Sequence, residues 1–121
     1  MSDPGFTTQT VHFGHRADTE HGSVHAAIHP STEYTYRDAH ELAAVFQNRK
    51  KGYTYARTGT PTTAALETQI SMMEQGNGTV AFATGMAALN AVFFALLRQG
   101  DHLIASKYIF GNTNSLLMTL E

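Results

Sequence analysis

The amino-acid sequence predicts an α/β fold with a parallel sheet, because two short apolar segments flank an apolar helix. The first segment, 79–83, follows two glycines, and the second, 101–105, follows Gly100. The helix between them is predicted from about Gly85 to Arg98. The order strand, helix, strand indicates a βαβ unit, whose crossover connection makes the two strands parallel.

Composition excludes several classes of protein. The chain has 121 residues, 42% of them hydrophobic, which suffices for one folded domain. A formal net charge of −2 provides no basic face for nucleic acid. Without cysteine there is no disulfide and no thiolate metal site. The longest apolar run, 87–97, is about half the length of a membrane span, and no export signal is visible. We therefore expect a cytoplasmic protein that binds neither nucleic acid nor membrane.

Composition also changes near residue 58. We predict an extended N-terminal arm over 1–58 and the first part of a compact domain over 59–121. Six of the seven histidines lie in the arm: His12, His15, His21, His25, His29 and His40.

Three further helices are predicted from their end signals. Asp38 and Glu41 form a capping box for a helix that ends near Arg49–Lys51, with Gly52 beyond it. In the segment 52–57, aromatic side chains alternate with small or polar ones, as in an extended strand. Thr60 followed by Pro61 begins a second helix, which stops at Gly76.

The last of these helices is capped by Asn112 or Thr113 and is still in progress at Glu121. Because two parallel strands do not make a stable sheet, and because the last helical pattern has no cap, we expect a piece of a larger protein.

One candidate binding site lies where the first predicted strand meets its helix. The backbone N–H groups of Gly85 and Met86 lack partners within a helix that starts there, and the helix dipole adds positive potential. These groups can hold a phosphate. An ordinary strand-to-helix turn is the alternative.

A second candidate is the pair Tyr55 and Arg57. Residues two apart on an extended segment project to the same side, and a guanidinium beside a phenol can bind a phosphate. The alternative is an ordinary surface contact.

Five ordered motifs resemble the N-terminal third of the Cys/Met-metabolism pyridoxal-phosphate (PLP) enzymes, over about residues 27 to 118. That family includes cystathionine γ-synthase, cystathionine and methionine lyases and O-acylhomoserine sulfhydrylases. The motifs are Tyr55-Ala56-Arg57, Gly59-Thr60-Pro61-Thr62 with Ala64-Ala65-Leu66-Glu67, Ala83-Thr84-Gly85-Met86-Ala87-Ala88, Gly100-Asp101-His102, and Phe110-Gly111-Asn112-Thr113.

The resemblance implies a fold-type I, aminotransferase-like architecture, PLP as cofactor and a homo-oligomer, a dimer of dimers, with its active site at the dimer interface. It implies that Gly85 and Met86 bind the PLP phosphate by backbone N–H groups. The arm over 1–58 would contact a neighbouring subunit, where Tyr55 and Arg57 would reach the phosphate. Phe110 would stack on the pyridine ring.

The chain departs from the family where Phe110 stands in place of the usual Tyr. The tyrosine hydroxyl is credited with proton transfer at the leaving group. Phe110 therefore favours γ-replacement on an O-acylhomoserine, as in O-acetylhomoserine sulfhydrylase or cystathionine γ-synthase, over methionine or cystathionine γ-lyase. Thr60, where the family often has Asn, is another good N-cap.

No lysine of this chain stands in the family's Schiff-base motif. The lysines are Lys50, Lys51 and Lys107. The resemblance implies that the catalytic lysine lies beyond Glu121, so the chain alone is expected to be inactive.

Two alternatives come from other classes. The four-residue spacing of His21, His25 and His29 would suit a metal site on a helix, but Gly22 and Pro30 disfavour a helix there. A non-enzymatic relative that binds other subunits through its arm is the second alternative.

Overall fold

The computed structural model of the protein describes residues 4–12 and 21–120. This part of the chain forms two compact units, one up to Val80 and one from Ala81 onward. The division into an arm over 1–58 and a cofactor domain over 59–121 stays a prediction. The helices in the described residues are α1 (Phe6–His12), α2 (Ala39–Phe46), α3 (Pro61–Met73), α4 (Gly85–Leu96) and α5 (Gly111–Leu120). None of these helices is long and apolar enough to cross a membrane.

The predicted capping box begins α2. The Asp38 carboxylate accepts a hydrogen bond from the Glu41 N–H at 2.8 Å. The Glu41 carboxylate accepts in return from the Arg37 N–H at 3.0 Å, one residue before the N-cap. Both bonds satisfy backbone donors that the helix itself cannot.

The predicted end of α2 is wrong, because the helix ends at Phe46, before the basic residues 49–51. Asn48 takes the left-handed conformation, with φ 56°. The Arg49 N–H then donates to the Ala44 carbonyl at 2.9 Å, and the Asn48 N–H donates to the Val45 carbonyl at 3.0 Å. This is a Schellman motif with asparagine in the position that glycine usually takes.

Gly52 has a different role from the one predicted. A Cβ atom at Gly52 would collide with the Tyr36 hydroxyl. That hydroxyl donates to the Tyr53 carbonyl at 2.7 Å. Gly52 is therefore required for close packing, and the helix end does not depend on it.

Helix α3 begins as predicted. The Thr60 hydroxyl accepts from the Thr63 N–H at 3.1 Å, and proline follows at the first helical position. The helix ends before Gly76, but the left-handed residue is Gln75, with φ 52°. The Gly76 N–H donates to the Ser71 carbonyl at 2.8 Å, again in a Schellman motif.

Helix α1 is not predicted from the sequence. It has seven residues and starts where the Gly5 carbonyl accepts from the Thr8 N–H at 2.9 Å. It packs against α3, where the Gln69 amide donates to the Thr10 carbonyl. Its stability therefore depends on a tertiary contact, which local sequence does not reveal.

The extended segment before α3 pairs with residues 32–34. Glu33 and Tyr55 form an isolated antiparallel bridge. The Ala56 N–H donates to the Thr32 carbonyl at 2.8 Å. The prediction of an extended segment is confirmed up to Tyr55, after which the chain turns.

In the second unit, α4 packs against α5. Helix α4 begins at Gly85 as predicted and ends at Leu96, two residues before Arg98. Helix α5 begins at Gly111, because the Phe110 carbonyl accepts from the Asn114 N–H at 3.0 Å. The predicted cap at Asn112 or Thr113 is therefore wrong, because both residues lie within α5.

Neither predicted strand, 79–83 or 101–105, is a strand in the described residues. A strand exists only through hydrogen bonds to a neighbour, and parallel sheets need several neighbours and cover on both faces. Ile104 is 99% exposed, so the apolar face of the second segment is not covered. The apolar pattern of these segments is present without the sheet that it predicts.

Candidate cofactor site

The N-terminus of α4 presents two unbonded backbone donors. The Thr84 hydroxyl is the N-cap and accepts from the Ala87 N–H at 3.1 Å. Among the described residues, no acceptor is bonded to the N–H of Gly85 or Met86. A helix cannot satisfy its own first N–H groups, so these two donors are available to an anion.

Space at this helix end is open. A Cβ atom placed on Gly85 would meet nothing within 4 Å. Neither protein packing nor a left-handed φ therefore requires glycine here. Without a side chain, Gly85 lets a ligand approach the backbone N–H groups closely.

The first turn of α5 lies beside the first turn of α4. The Thr113 hydroxyl donates to the Met86 sulfur at 3.8 Å, and Thr113 is the third residue of α5. Each helix N-terminus carries a partial positive charge. The positive ends of the two helices therefore lie close together.

Phe110 directly precedes α5 and is 71% exposed. It is only three residues from Thr113, which contacts α4. The structure thus brings Gly85, Met86 and Phe110 to the same end of the α4–α5 pair, with two N–H donors and an exposed aromatic ring.

Tyr55 and Arg57 lie in the first unit. The Arg57 guanidinium carbon is 4.8 Å from the centroid of the Tyr55 ring, within cation–π distance. The prediction that both side chains project to one side is confirmed. The reason differs, because Arg57 lies in a turn where the Thr58 N–H donates to the Tyr55 carbonyl at 2.9 Å.

The two lysines with described contacts are engaged. The Lys50 ammonium forms a hydrogen-bonded ion pair with the Glu41 carboxylate. This hydrogen bond raises the pKa of Lys50 above its usual value of 10.5. The Lys107 ammonium lies 4.9 Å from the centroid of the Tyr108 ring. Lys50 is therefore held in its protonated form, which is not nucleophilic.

The histidine spacing does not form a helix in the structure, as Gly22 and Pro30 predict. Within residues 4–12 and 21–120, no three His, Cys, Asp or Glu side chains gather as metal ligands. His15 lies outside the described residues.

Thr113 is a site residue that was not predicted from the sequence. The signal was present, since Thr113 lies in the motif that begins with Phe110. The contact of its hydroxyl with Met86 of α4 is visible only in the structure.

Comparison with known proteins decides the family. The sequence model of the family of Cys/Met metabolism PLP-dependent enzymes matches residues 7–120 of this chain. The chain belongs to this family. PLP is the cofactor of its members, and the resemblance stated from the motifs is confirmed.

Among curated members of the family, an L-methionine gamma-lyase from Pseudomonas deceptionensis is 33% identical over 93% of this chain. A cystathionine gamma-synthase from Mycobacterium leprae is 35% identical over the same share. The chain spans 28% of the first relative and 27% of the second.

Solved structures of the family agree with the fold class. The metB protein of Corynebacterium glutamicum matches 97% of this chain with a TM-score of 0.84 and 34% identity, and 29% of that structure is covered. A putative O-acetylhomoserine (thiol)-lyase from Campylobacter jejuni gives a TM-score of 0.85 at 28% sequence identity. The match covers 94% of this chain and 28% of the length of that structure. The fold-type I prediction is confirmed for this N-terminal region.

Proposed function

We propose that the protein carrying this chain is a PLP-dependent enzyme that catalyses γ-replacement on an O-acylhomoserine. The candidate activities are those of an O-acetylhomoserine sulfhydrylase and a cystathionine γ-synthase. In this proposal the chain supplies the residues that bind the cofactor phosphate and cover its ring. When bound, PLP supplies the electron-withdrawing group that this chemistry requires.

The phosphate is assigned to the α4 N-terminus. Gly85 and Met86 offer two N–H donors without described acceptors, and the adjacent N-terminus of α5 adds positive potential. The open space at Gly85 admits the phosphate oxygens to hydrogen-bond distance of the main chain.

The proposal of γ-replacement, and not elimination, rests on the exposed ring of Phe110. It lies at the same end of the α4–α5 pair and offers an apolar face to the pyridine ring. Phenylalanine has no hydroxyl with which to protonate a leaving group. A carboxylate leaves an ester without protonation, whereas a thiolate leaves a thioether poorly. Phe110 therefore favours an ester substrate over methionine.

Tyr55 and Arg57 are assigned to the PLP phosphate of a neighbouring subunit in a homo-oligomer, a dimer of dimers. Their contact fixes an exposed guanidinium beside a phenol, which suits bidentate binding of a phosphate. The cytoplasmic location stays a prediction.

The lysine that carries the cofactor is assigned to a part of the protein beyond Glu121. In the Campylobacter jejuni structure, the pyridoxyl-lysine group is at position 205, beyond the length of this chain. Lys50 is held in an ion pair with Glu41 and does not suit the role. We therefore expect the 121-residue chain alone to be inactive.

Methionine γ-lyase activity is the second candidate. Relatives with that name match as much of this chain as the cystathionine gamma-synthases do, at 33% and 35% identity. Its chemistry requires the leaving thiolate to be protonated by a group other than Phe110.

Intact-mass spectrometry and a visible absorbance scan establish the length of the purified protein and whether it holds PLP. Product formation is then compared for O-acetylhomoserine with sulfide, for O-acetylhomoserine with cysteine, and for methionine alone. We expect replacement to exceed methionine elimination by at least about tenfold. Faster elimination from methionine would favour the second candidate, and a protein that does not bind PLP would contradict both.

Substitution at position 110 tests the role of the ring. Phe110→Tyr should raise elimination from methionine relative to replacement and keep PLP bound. Phe94→Tyr is the matched control, because Phe94 is 68% exposed and lies near the other end of α4. Equal effects of the two substitutions would remove the basis for the choice of reaction.

A further inference from the structure

The loop after α3 contains an asparagine followed directly by a glycine, Asn77-Gly78. Both residues are exposed and lie outside every helix. In such a pair, the backbone nitrogen of the glycine can attack the side-chain amide carbon of the asparagine. A glycine favours this reaction because it has no side chain to hinder the approach.

Neither reacting group is held in place. Among residues 4–12 and 21–120, no hydrogen bond engages the Asn77 side chain or the Gly78 N–H. A Cβ atom at Gly78 would meet nothing within 4 Å, so the surroundings leave room for ring closure. The Asn77 side chain can therefore rotate toward the Gly78 nitrogen.

Asn48 offers a contrast in the same unit. It is also exposed and lies outside a helix. The following nitrogen, that of Arg49, donates to the Ala44 carbonyl at 2.9 Å, and the arginine side chain adds bulk. Asn90, Asn112 and Asn114 lie within helices. Asn77 alone among the described asparagines combines a free neighbouring nitrogen with an unhindered approach.

We propose that Asn77 is a site of spontaneous deamidation in the folded protein. The Gly78 nitrogen loses its proton to water or base and forms a bond to Asn77 Cγ. The bond from Cγ to the side-chain nitrogen breaks, and ammonia leaves, which gives a five-membered succinimide. Water then opens the ring at either carbonyl, and residue 77 becomes aspartate or isoaspartate. The reaction at Asn77 is independent of the cofactor chemistry proposed above.

The product changes both charge and chain geometry at the end of α3. The new carboxylate lies close to the C-terminal end of that helix, whose carbonyls are already negative, and three residues from Glu74. Isoaspartate also adds an atom to the main chain. The loop that it lengthens is closed by a hydrogen bond of 2.7 Å between the hydroxyls of Ser71 and Thr79.

Peptide mapping by mass spectrometry tests the proposal on the whole protein during incubation at mildly alkaline pH. We expect the peptide with Asn77 to gain about one dalton at least about tenfold faster than the peptide with Asn48. Labelling by an isoaspartyl methyltransferase should appear on the same peptide. The rate at Asn77 should be nearly the same in folded and urea-denatured protein, because no described hydrogen bond holds the Asn77 side chain or the Gly78 N–H. Much faster reaction in urea, or equal rates at Asn77 and Asn48, would overturn the proposal.

Gly78→Ala is the diagnostic variant. Gly78 has no left-handed φ and no neighbour within 4 Å of a Cβ, so alanine fits without strain. The methyl group should slow deamidation at Asn77 by about tenfold. Gly5→Ala is the control, since that glycine also has open space and does not follow an asparagine. An unchanged rate in Gly78→Ala would also overturn the proposal.

Discussion

At the scale of single residues, substitution of Arg57 tests the proposed contact with the PLP phosphate directly. Hydrogen bonds from a charged donor contribute about 1.5 to 3 kcal/mol. Arg57→Ala should therefore weaken PLP binding to the whole protein by about ten- to a hundredfold, and Arg57→Lys should have a smaller effect. PLP dissociation followed by absorbance measures this change. Arg49→Ala is the control, because the described contacts of the Arg49 side chain are hydrogen bonds to Gln47. PLP affinity equal to wild type in Arg57→Ala would exclude a phosphate contact.

Glu41 and Lys50 form the ion pair whose effect on stability depends on pH. The hydrogen bond from Lys50 lowers the pKa of Glu41 below its usual value of 4.5. The carboxylate therefore stabilises the fold above that value, and its contribution is lost as pH falls through the lowered pKa. The same hydrogen bond raises the pKa of Lys50. The ammonium group therefore contributes its full stabilisation of the fold below pH 10.5, and this stabilisation is lost as the pH rises through the raised pKa.

Glu41→Gln should consequently lower the thermal midpoint near neutral pH and have a smaller effect in acid. Glutamine keeps an oxygen for the bond from the Arg37 N–H, so the variant removes the charge and keeps that hydrogen bond. Thermal unfolding of both proteins across the acid range measures the difference. Glu74→Gln is the control, because it removes an exposed carboxylate at the end of α3. If both variants follow the same pH profile, the pair does not contribute.

At the scale of elements, α3 ends in a backbone conformation that does not suit its sequence. Gln75 has φ 52°, a left-handed conformation that costs a residue with a side chain about 1 kcal/mol. Gln75→Gly should therefore stabilise the protein by about 1 kcal/mol, as measured by denaturant unfolding.

Gly76 provides the discriminating control for this helix end. Gly76 has no left-handed φ, and a Cβ there would be at ordinary contact distances of 3.8 and 3.9 Å. Gly76→Ala should leave stability nearly unchanged. Strong destabilisation by Gly76→Ala, with no gain from Gln75→Gly, would place the left-handed residue at Gly76, as the sequence suggests.

The starts of α2, α3 and α4 could be predicted from sequence because each depends on one side chain and a donor three residues away. Thr60 shows this, and Asp38 and Thr84 form the same kind of cap. The ends of α2 and α3 could not be predicted as well, since asparagine and glutamine take the position where a glycine is expected. Helix α1 was missed because a contact with α3 stabilises it, which no local pattern shows.

For the candidate site, sequence and structure agree to different degrees. The position of Gly85 at a helix N-terminus was predicted from the sequence, and its open surroundings are visible only in three dimensions. The contact between Thr113 and Met86 joins residues far apart in the chain. Periodicity could not predict it, because it depends on how α4 and α5 pack.

At the scale of the whole molecule, very little of the described chain is buried. Val45, with 6% exposure, is the one buried hydrophobic residue in the part that the structure describes. Apolar side chains elsewhere remain in contact with solvent, for example Ile28 at 82% and Leu96 at 75%. Burial of apolar surface is the main favourable term in folding, so these residues by themselves provide little stability. The predicted strands also lack a sheet, which is consistent with a chain that spans 28% of its relative's length.

The isolated 121-residue chain should therefore not unfold cooperatively. We expect partial helicity in circular dichroism, a broad thermal transition, strong binding of the dye ANS to apolar surface, and self-association in ultracentrifugation. The whole protein should show a sharp transition and weak dye binding, and it is the matched control. A monomer of 13.2 kDa with a single sharp transition would contradict this expectation. It would also support the alternative of a stable, non-enzymatic relative, because such a chain would cover its apolar surface without the rest of the enzyme.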